Sequence, residues 1–527
     1  MKKLLCIIFL IFTTTHITKS EGIWDPTTTK IPGQIATTAL YPEIASDSKG
    51  NSIAVWQQND GSNNQVYYSY WNGTIWTDAT TIPGQPATNA NIPQIALDSD
   101  GNAIAVWRQY NGSDYQAYYA YWNGATWTDA TTIPGQPAEH ANSIRIAFDS
   151  NGNAIAVWGQ YDGSNVQIYY AYWDGTTWTD ATTIPGQLAS LASAPEIAFD
   201  SNKNAIAVWE HEDGGNEQIY YALWNGATWT NAATIAEQAS DDATFPQIAV
   251  DPNGNAITVW YERDDSGIFQ IYYSYWNGTT WTDASIIPGK PAINGFSPQI
   301  AFDSNGNAIT VWKQNGIGYS QIYYAYWDGT TWSITATAIP GQPESFASNP
   351  KIAFDSNGNA IAVWQQYDGS NYLVEYAYRD GTIWTDASTI PNQPAESASN
   401  PKATFDPTGN AITIWQQNDG SNTQIYYARL VKPFINYCRQ ESHYFPSQTD
   451  LINVLNWNFS TPNIAQYNIY TKPYGSSEDY QFIGSVPDPT SYFFHHNRYP
   501  GQHLTYVITA VDINGNESNY SNPICVP

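Results

Sequence analysis

The chain has 527 residues, with 23 Trp and 39 Tyr against a single Met, and only 13% charged side chains that leave a formal net charge of -28. So acidic a surface, with no basic stripe to offset it, excludes phosphate backbones and anionic bilayers as expected partners. A glycan, a cation or another protein remains.

The first twenty residues carry Lys2 and Lys3, the apolar run Leu4 to Phe12, and a polar stretch with Thr18 and Ser20, which is the pattern of a secretory signal. That run is shorter than the roughly 20 residues a membrane span needs, and no later segment is apolar enough to cross a bilayer. The mature chain is therefore expected to begin near Glu21 and to be secreted or held at the cell surface.

Residues 21–431 are dominated by one repeated stretch, D-S-N-G-N-A-I-A-V-W in its cleanest copy, Asp149 to Trp158. Its closing tryptophans are Trp56, Trp107, Trp158, Trp209, Trp260, Trp312, Trp364 and Trp415, spaced by 51 or 52 residues. A constant period near fifty signals a repeat architecture. In the third copy, four segments rich in β-branched and aromatic residues read as strands: Ile144 to Phe148, Ala154 to Trp158, Gln167 to Trp173 and Thr177 to Thr182. Both faces of the third segment are apolar, so each small sheet must be covered on both sides, as the blades of a β-propeller are.

The ends of the repeat region set the count. Trp24 to Gln34 matches the fourth-strand segment Trp178 to Gln187 with one residue inserted, and the last repeat stops after its third strand, Gln424 to Ala428. An N-terminal strand that completes the last blade gives eight blades closed three-plus-one. The turn D-S-N-G-N needs an Asp that accepts backbone N–H bonds and a left-handed Gly, and the fourth copy has Lys203 where that Gly belongs. Part of this turn is similar to a calcium loop but lacks the Gly and carboxylate positions that such a loop requires. The second turn, Trp173-Asp174-Gly175-Thr176-Thr177-Trp178, resembles the Asp-box of sialidase-type propellers without its Ser and with one residue fewer between Asp and Gly. That box is a structural turn and implies no cleavage of sialic acid.

With both tight turns on one side, the longer connections, such as Gln160 to Asn165 and Gly186 to Pro195, share the other, and function is expected on that loop face. As a whole, the repeats resemble a widespread type of exported bacterial protein built from D-x-x-G-N-A-x-A-V-W units. The resemblance implies export and a propeller and brings no catalytic residue with it.

From Val431 the composition changes. Leu455-Asn456-Trp457, Tyr467 to Tyr470, Tyr506 to Asp512 and Asn514 to Ser518 resemble the B, C and F strands and the following turn of a fibronectin type III domain, over residues 432–527. The expected fold is all-β: an eight-bladed propeller followed by a fibronectin type III-like sandwich. Once Cys6 leaves with the signal, Cys438 and Cys525 remain, and two cysteines in an exported chain suggest one disulfide. The termini of the fold this segment resembles lie at opposite poles, while a disulfide needs Cα atoms within about 7 Å, so the pairing stays open.

Chemistry requires repeats that break the pattern on the loop face. The fourth copy reads Glu210-His211-Glu212-Asp213-Gly214-Gly215-Asn216-Glu217, the fifth reads Glu262-Arg263-Asp264-Asp265, and the connection between them supplies Glu237, Asp241 and Asp242. These loops are expected to adjoin as a concentrated negative patch able to hold calcium or, with one pKa raised, to do acid/base work on a glycoside. Apart from calcium, no cofactor is expected. Scattered arginines and the absence of Ser-His-Asp, zinc and phosphate-loop patterns argue against other chemistries. The leading expectation is a monomeric, exported binding protein that recognises carbohydrate or a protein partner through the loop face. The alternatives are a polysaccharide-acting glycosidase or lyase with one site at blades 4 and 5, dependent on Glu212 and Asp264, and a surface scaffold.

Overall fold

The structure is a computed structural model that describes residues 22–526 apart from 26–27, 240, 433, 446–447, 459–463, 477, 499–501, 514, 516, 519 and 522; the expected signal, 1–20, lies outside the described residues. Contacts divide the chain into Trp24–Val431 and a second unit, which runs from Lys432 to Pro527 and takes in the residues up to Ile23.

The first unit is an eight-bladed propeller. Its logic lies in the alternation of A-I-A-V-W. In Ala103–Tyr110, the second strand of blade 2, Ala103, Ala105 and Trp107 face one way and Ile104 and Val106 the other. The Ala-Ala-Trp side packs on Ile53, Val55 and Val66 of blade 1. The Ile-Val side packs on Ala154, Ala156 and Trp158 of blade 3. Small residues on one blade thus leave room for branched residues on the last, and the same fit recurs further round the ring. All eight repeat tryptophans are completely buried. Six of their indole N–H groups donate to a Gln two residues on, as Trp107 does to Gln109 at 2.7 Å. They therefore form the wedges between blades, and none offers a face to a sugar.

Each of blades 1 to 7 is an antiparallel sheet whose strands lie in chain order, the fourth being only two residues long; in blade 3 it is Thr182–Thr183. The ring closes as the sequence predicts. Thr29 and Lys30 pair with Tyr427 and Tyr426 in blade 8. Gln34 bridges this strand to its neighbour by donating to the Ile31 and Ile425 carbonyls and accepting from the Ile425 N–H. Gln85 does the same between Ile82 and Val66 within blade 1.

The first strands of successive blades touch one another around the axis. Each is bulged near its start: in blade 1 the register shifts between Leu40 and Glu43, with Tyr41 at φ 54°. Equivalent left-handed residues are Ile92, Ser143, Ala194, Phe245, Ser297, Asn349 and Asn400. At the opposite end of the blade, the turn Asp has little capacity left for a cation. Asp47 accepts the Lys49 and Asn51 N–H groups and the Asn51 side-chain amide, each at 2.8 Å.

In the second unit, Phe434–Phe445, Gln448–Asn458 and Tyr492–Arg498 form one sheet, and Gln481–Pro487, Ile464–Pro473, Leu504–Asp512 and Ile524–Val526 form another. Trp457, Tyr467 and Tyr506 are at the centre of its core. The backbone of Cys438 pairs with Leu455 and that of Cys525 with Thr505, but the side chain of Cys525 lies outside the described residues.

Lys203 keeps the left-handed conformation of the Gly it replaces, with φ 70°. Lys203→Gly is expected to stabilise the propeller by about 1 kcal/mol, read as a higher urea midpoint, because it removes the Cβ penalty of that conformation.

Candidate functional site

Strands that reach further toward the loop face than the sequence suggests decide what the loop face presents. In blade 3 the second strand runs to Tyr161, so the connection to Val166 contains only Asp162 to Asn165. In blade 4 the strands extend to Asp213 and resume at Asn216, leaving Gly214 and Gly215 as the turn. Glu210 and His211 are therefore strand residues, and Glu262 likewise belongs to the strand Ala256–Arg263. All three are buried. Their placement in surface loops is thereby corrected: the strand pairing continues at least three residues past each tryptophan.

His211 and Glu262 occupy the position that is Gln in the other six blades. Trp209 Nε1 donates to His211 Nδ1 at 3.2 Å, which leaves Nε2 as the N–H. Burial lowers the pKa of His211, against the Leu188 backbone and the carboxylates of Asp213 and Glu212, which raise it. This histidine is neither solvated nor placed to take a ligand. Trp260 Nε1 donates to Glu262 Oε2 at 2.7 Å, while Glu262 Oε1 is buried without a partner. Burial pushes Glu262 up to about 7, against the Trp260 N–H and the Ala239 backbone.

The remaining predicted residues lie nearer the surface. Asp264 caps its own turn by accepting the Ser266 and Ile268 N–H groups and the Gln270 amide. Burial acts to raise its pKa, but the Ile268 N–H, the Gln270 amide and the nearby Lys290 hold it low. Asp265 is exposed beside it. Asp213 accepts the Tyr220 hydroxyl at 2.8 Å. Arg263 lies 3.7 Å from Asp241 and its guanidinium sits 5.9 Å from the centre of the Phe269 ring. Glu212 pairs across the hairpin with Glu217, whose backbone N–H donates to Asp242 at 3.0 Å. The acidic loops do adjoin, but among the described residues no three His, Cys, Asp or Glu side chains are grouped to hold a metal ion.

Two further sets of residues, Glu210 apart, were not singled out in the sequence. The position after each repeat tryptophan reads Gln57, Arg108, Gly159, Glu210, Tyr261, Lys313, Gln365 and Gln416, and Gln57, Glu210, Gln365 and Gln416 each accept the N–H of the bulge residue in the next blade. Alignment of the repeats on their tryptophans exposes this variable column inside a near-constant strand. Glu210 accepts the Phe245 N–H at 2.5 Å and the Ser193 hydroxyl at 2.6 Å, so it pins the left-handed bulge of blade 5. Phe245, 58% exposed, stacks on Tyr261 with ring centres 5.7 Å apart and planes at 15°. Tyr261 also meets Phe296 and Phe269, at 5.4 and 5.8 Å. An aromatic surface thus borders the acidic cleft. Within that cleft, burial and the carboxylates of Glu210, Asp242 and Glu212 push Glu217 up to about 7.

The second set lines the axis, one residue per blade, just beyond each bulge. Glu43 takes hydrogen bonds from Lys402 at 2.5 Å and Gln94 at 3.2 Å. Glu196 takes them from Arg145 at 2.8 Å and Gln247 at 3.2 Å. Lys351 donates to Gln299 at 2.6 Å.

No protein-family model matches the chain. It is 23% identical over 329 residues to a xyloglucanase from a Paenibacillus species, an alignment covering 58% of this chain and 28% of that protein. The chain therefore spans less than a third of the curated relative's length. Among solved structures it is similar to a protein of unknown function from Dyadobacter fermentans, at 11% identity and a TM-score of 0.38 over 76% of this chain and 98% of that one. It is also similar to the polysaccharide lyase Uly1, at 7% identity and a TM-score of 0.42 over 79% and 98% of the two chains.

Glu262 offers a test of the buried ladder. With its pKa raised from 4.5 in the unfolded chain to about 7 in the fold, the folded state holds the proton longer, so stability falls as pH rises across that window. Glu262→Gln, which restores the residue of the other blades, is expected to stabilise the protein at pH 8 by roughly 3 kcal/mol and to change little at pH 4.5, read from urea midpoints.

Proposed function

We propose that the protein is an exported, polysaccharide-acting enzyme with one active site on the loop face, where the acidic cleft of blades 4 and 5 meets the aromatic surface of Phe245, Tyr261, Phe269 and Phe296. The observation that carries this reading is Glu217, a carboxyl pushed up to about 7 beside other carboxylates and near the half-buried Tyr261, on which the exposed Phe245 stacks. A protonated acid close to neutral pH is what cleavage of a glycosidic bond requires at the leaving oxygen, and exposed aromatic rings bind sugar rings by their faces. The likeness to a xyloglucanase favours catalysis over binding alone.

In this mechanism Glu217 is the general acid. Glu212 and Asp242, both exposed beside it, are the candidates for the ionised partner that activates water or stabilises positive charge at the anomeric carbon. Glu210 is nearly buried and holds the Phe245 backbone, so it acts as a positioning residue that also raises Glu217. Asp264 belongs to a turn and stands outside the chemistry. The second unit has a three-plus-four strand arrangement in keeping with a fibronectin type III-like sandwich, which fits a spacer or accessory module.

The test is release of reducing ends from a panel of neutral and acidic polysaccharides that includes xyloglucan. Glu217→Gln is expected to lower kcat by about 100-fold or more, the usual contribution of a general acid, while Asp264→Asn stays within a few-fold of the parent. The alkaline limb of the kcat profile should follow Glu217 near pH 7, and Glu210→Gln should move it to lower pH by removing the negative neighbour that raises it most. Glycan binding without cleavage of any substrate would instead support the binding-protein reading.

A further inference from the structure

The axis holds a charge that the surrounding protein leaves without a carboxylate. Of the charged residues just beyond the bulges, Lys402 bonds to Glu43 and Arg145 to Glu196. Lys351 donates only to the neutral Gln299 among the described residues. A cavity of about 190 Å³ opens over it, lined by Lys351, Lys402, Gln299, Ser297, Asn349 and Asn400. Three of these, Ser297, Asn349 and Asn400, are the left-handed bulge residues of blades 6, 7 and 8, so fixed backbone geometry sets the rim. The other five bulge residues are Tyr41, Ile92, Ser143, Ala194 and Phe245, which makes this the most polar arc of the axial opening.

A half-buried ammonium is costly unless an anion accompanies it. Here the protein supplies one partner fewer than it has cations on the axis, along with a polar cavity at the place where the partner is missing. A carboxylate or other oxyanion would take the remaining N–H donors of Lys351 and receive Lys402 from the side.

We propose that the axial cavity of blades 6, 7 and 8 is a binding site for a small oxyanion, a class that includes the carboxylate of an acidic sugar, held by Lys351 and Lys402. It is separate from the acidic cleft of blades 4 and 5 and does not depend on catalysis there. Burial and Lys402 lower Lys351 to about 7, against Glu43 and Glu196, with Arg145 acting in the same direction as Lys402. Oxyanion binding requires the protonated form, so affinity should fall about tenfold per pH unit above that point.

The probes are sodium glucuronate, sodium acetate, sodium sulfate and uncharged glucose, titrated calorimetrically into the full chain at pH 6.0 and 8.5. Glucuronate or the simple oxyanions should bind at pH 6.0 and at least tenfold more weakly at pH 8.5, and glucose should give no signal that Lys351 controls. Lys351→Gln should weaken binding at least tenfold at pH 6.0. Lys351→Arg, whose charge persists across this range, should bind with little pH dependence, a result that misfolding would not give. Preference for glucuronate over acetate and sulfate would identify a sugar acid as the ligand, and equal binding would identify a general oxyanion site. Absence of binding by all three anions at pH 6.0, or unchanged affinity in Lys351→Gln, would overturn the proposal.

Discussion

The structure depends on one contact repeated eight times, in which the side of a second strand that carries two small residues and a Trp, Ala-Ala-Trp in four blades, receives the two branched residues of the previous blade. A lone four-stranded sheet with two apolar faces has nowhere to bury them, and a stack of such sheets leaves two ends uncovered. Closure into a ring removes the ends. At about 25 cal/mol per Å² of apolar surface, an indole that buries roughly 200 Å² contributes on the order of 5 kcal/mol before chain ordering is counted, and eight of them make this contact dominant. The Trp N–H bond to the Gln two residues on then satisfies the one polar atom that the wedge carries into the core.

That rigidity has a functional consequence. Positions inside the ladder are constrained by two neighbours each, whereas the residue after the tryptophan and the residue at the bulge lie above the core and are free to differ. One scaffold therefore presents Glu210 beside Phe245 in one cleft, Tyr261 beside Phe296 in the next, and Gln365 beside Asn400 elsewhere. Phe245 is fixed by its left-handed backbone and by Glu210, so its ring is held in place before any ligand arrives.

Electrostatics divides the molecule in a way net charge conceals. The chain carries -28 overall, yet three cations and two carboxylates meet along the axis. On the loop face the reverse holds: Glu217 and Glu262 retain protons close to neutral pH because burial, more than neighbouring charge, opposes their ionisation. Glu262 belongs to the wedge ladder and Glu217 to the open cleft, so similar pKa values have different meanings.

The sequence by itself determined the propeller. The 51- and 52-residue spacing of the tryptophans, the strand-like segments and the displaced strand at Trp24 to Gln34 contain the blade number and the closure, because repeat packing is local and each unit carries its own copy of the instructions. The meeting of the loops of blades 4 and 5 followed from the same repetition. Only the tertiary structure decided which of their residues face water. Glu210, His211 and Glu262 read as loop acids and a loop histidine, yet the ladder extends over them, since strand length on a blade is set by pairing and by the neighbouring blade. Glu217 is raised by Glu210 and Glu212 of its own hairpin and by Asp242 from 25 positions away, Phe245 is held by a residue 35 positions away, and Lys351 meets one 52 positions distant. Phe245 and Lys351 each lie in a different blade from the partner, and the stacking of consecutive blades is what places them side by side.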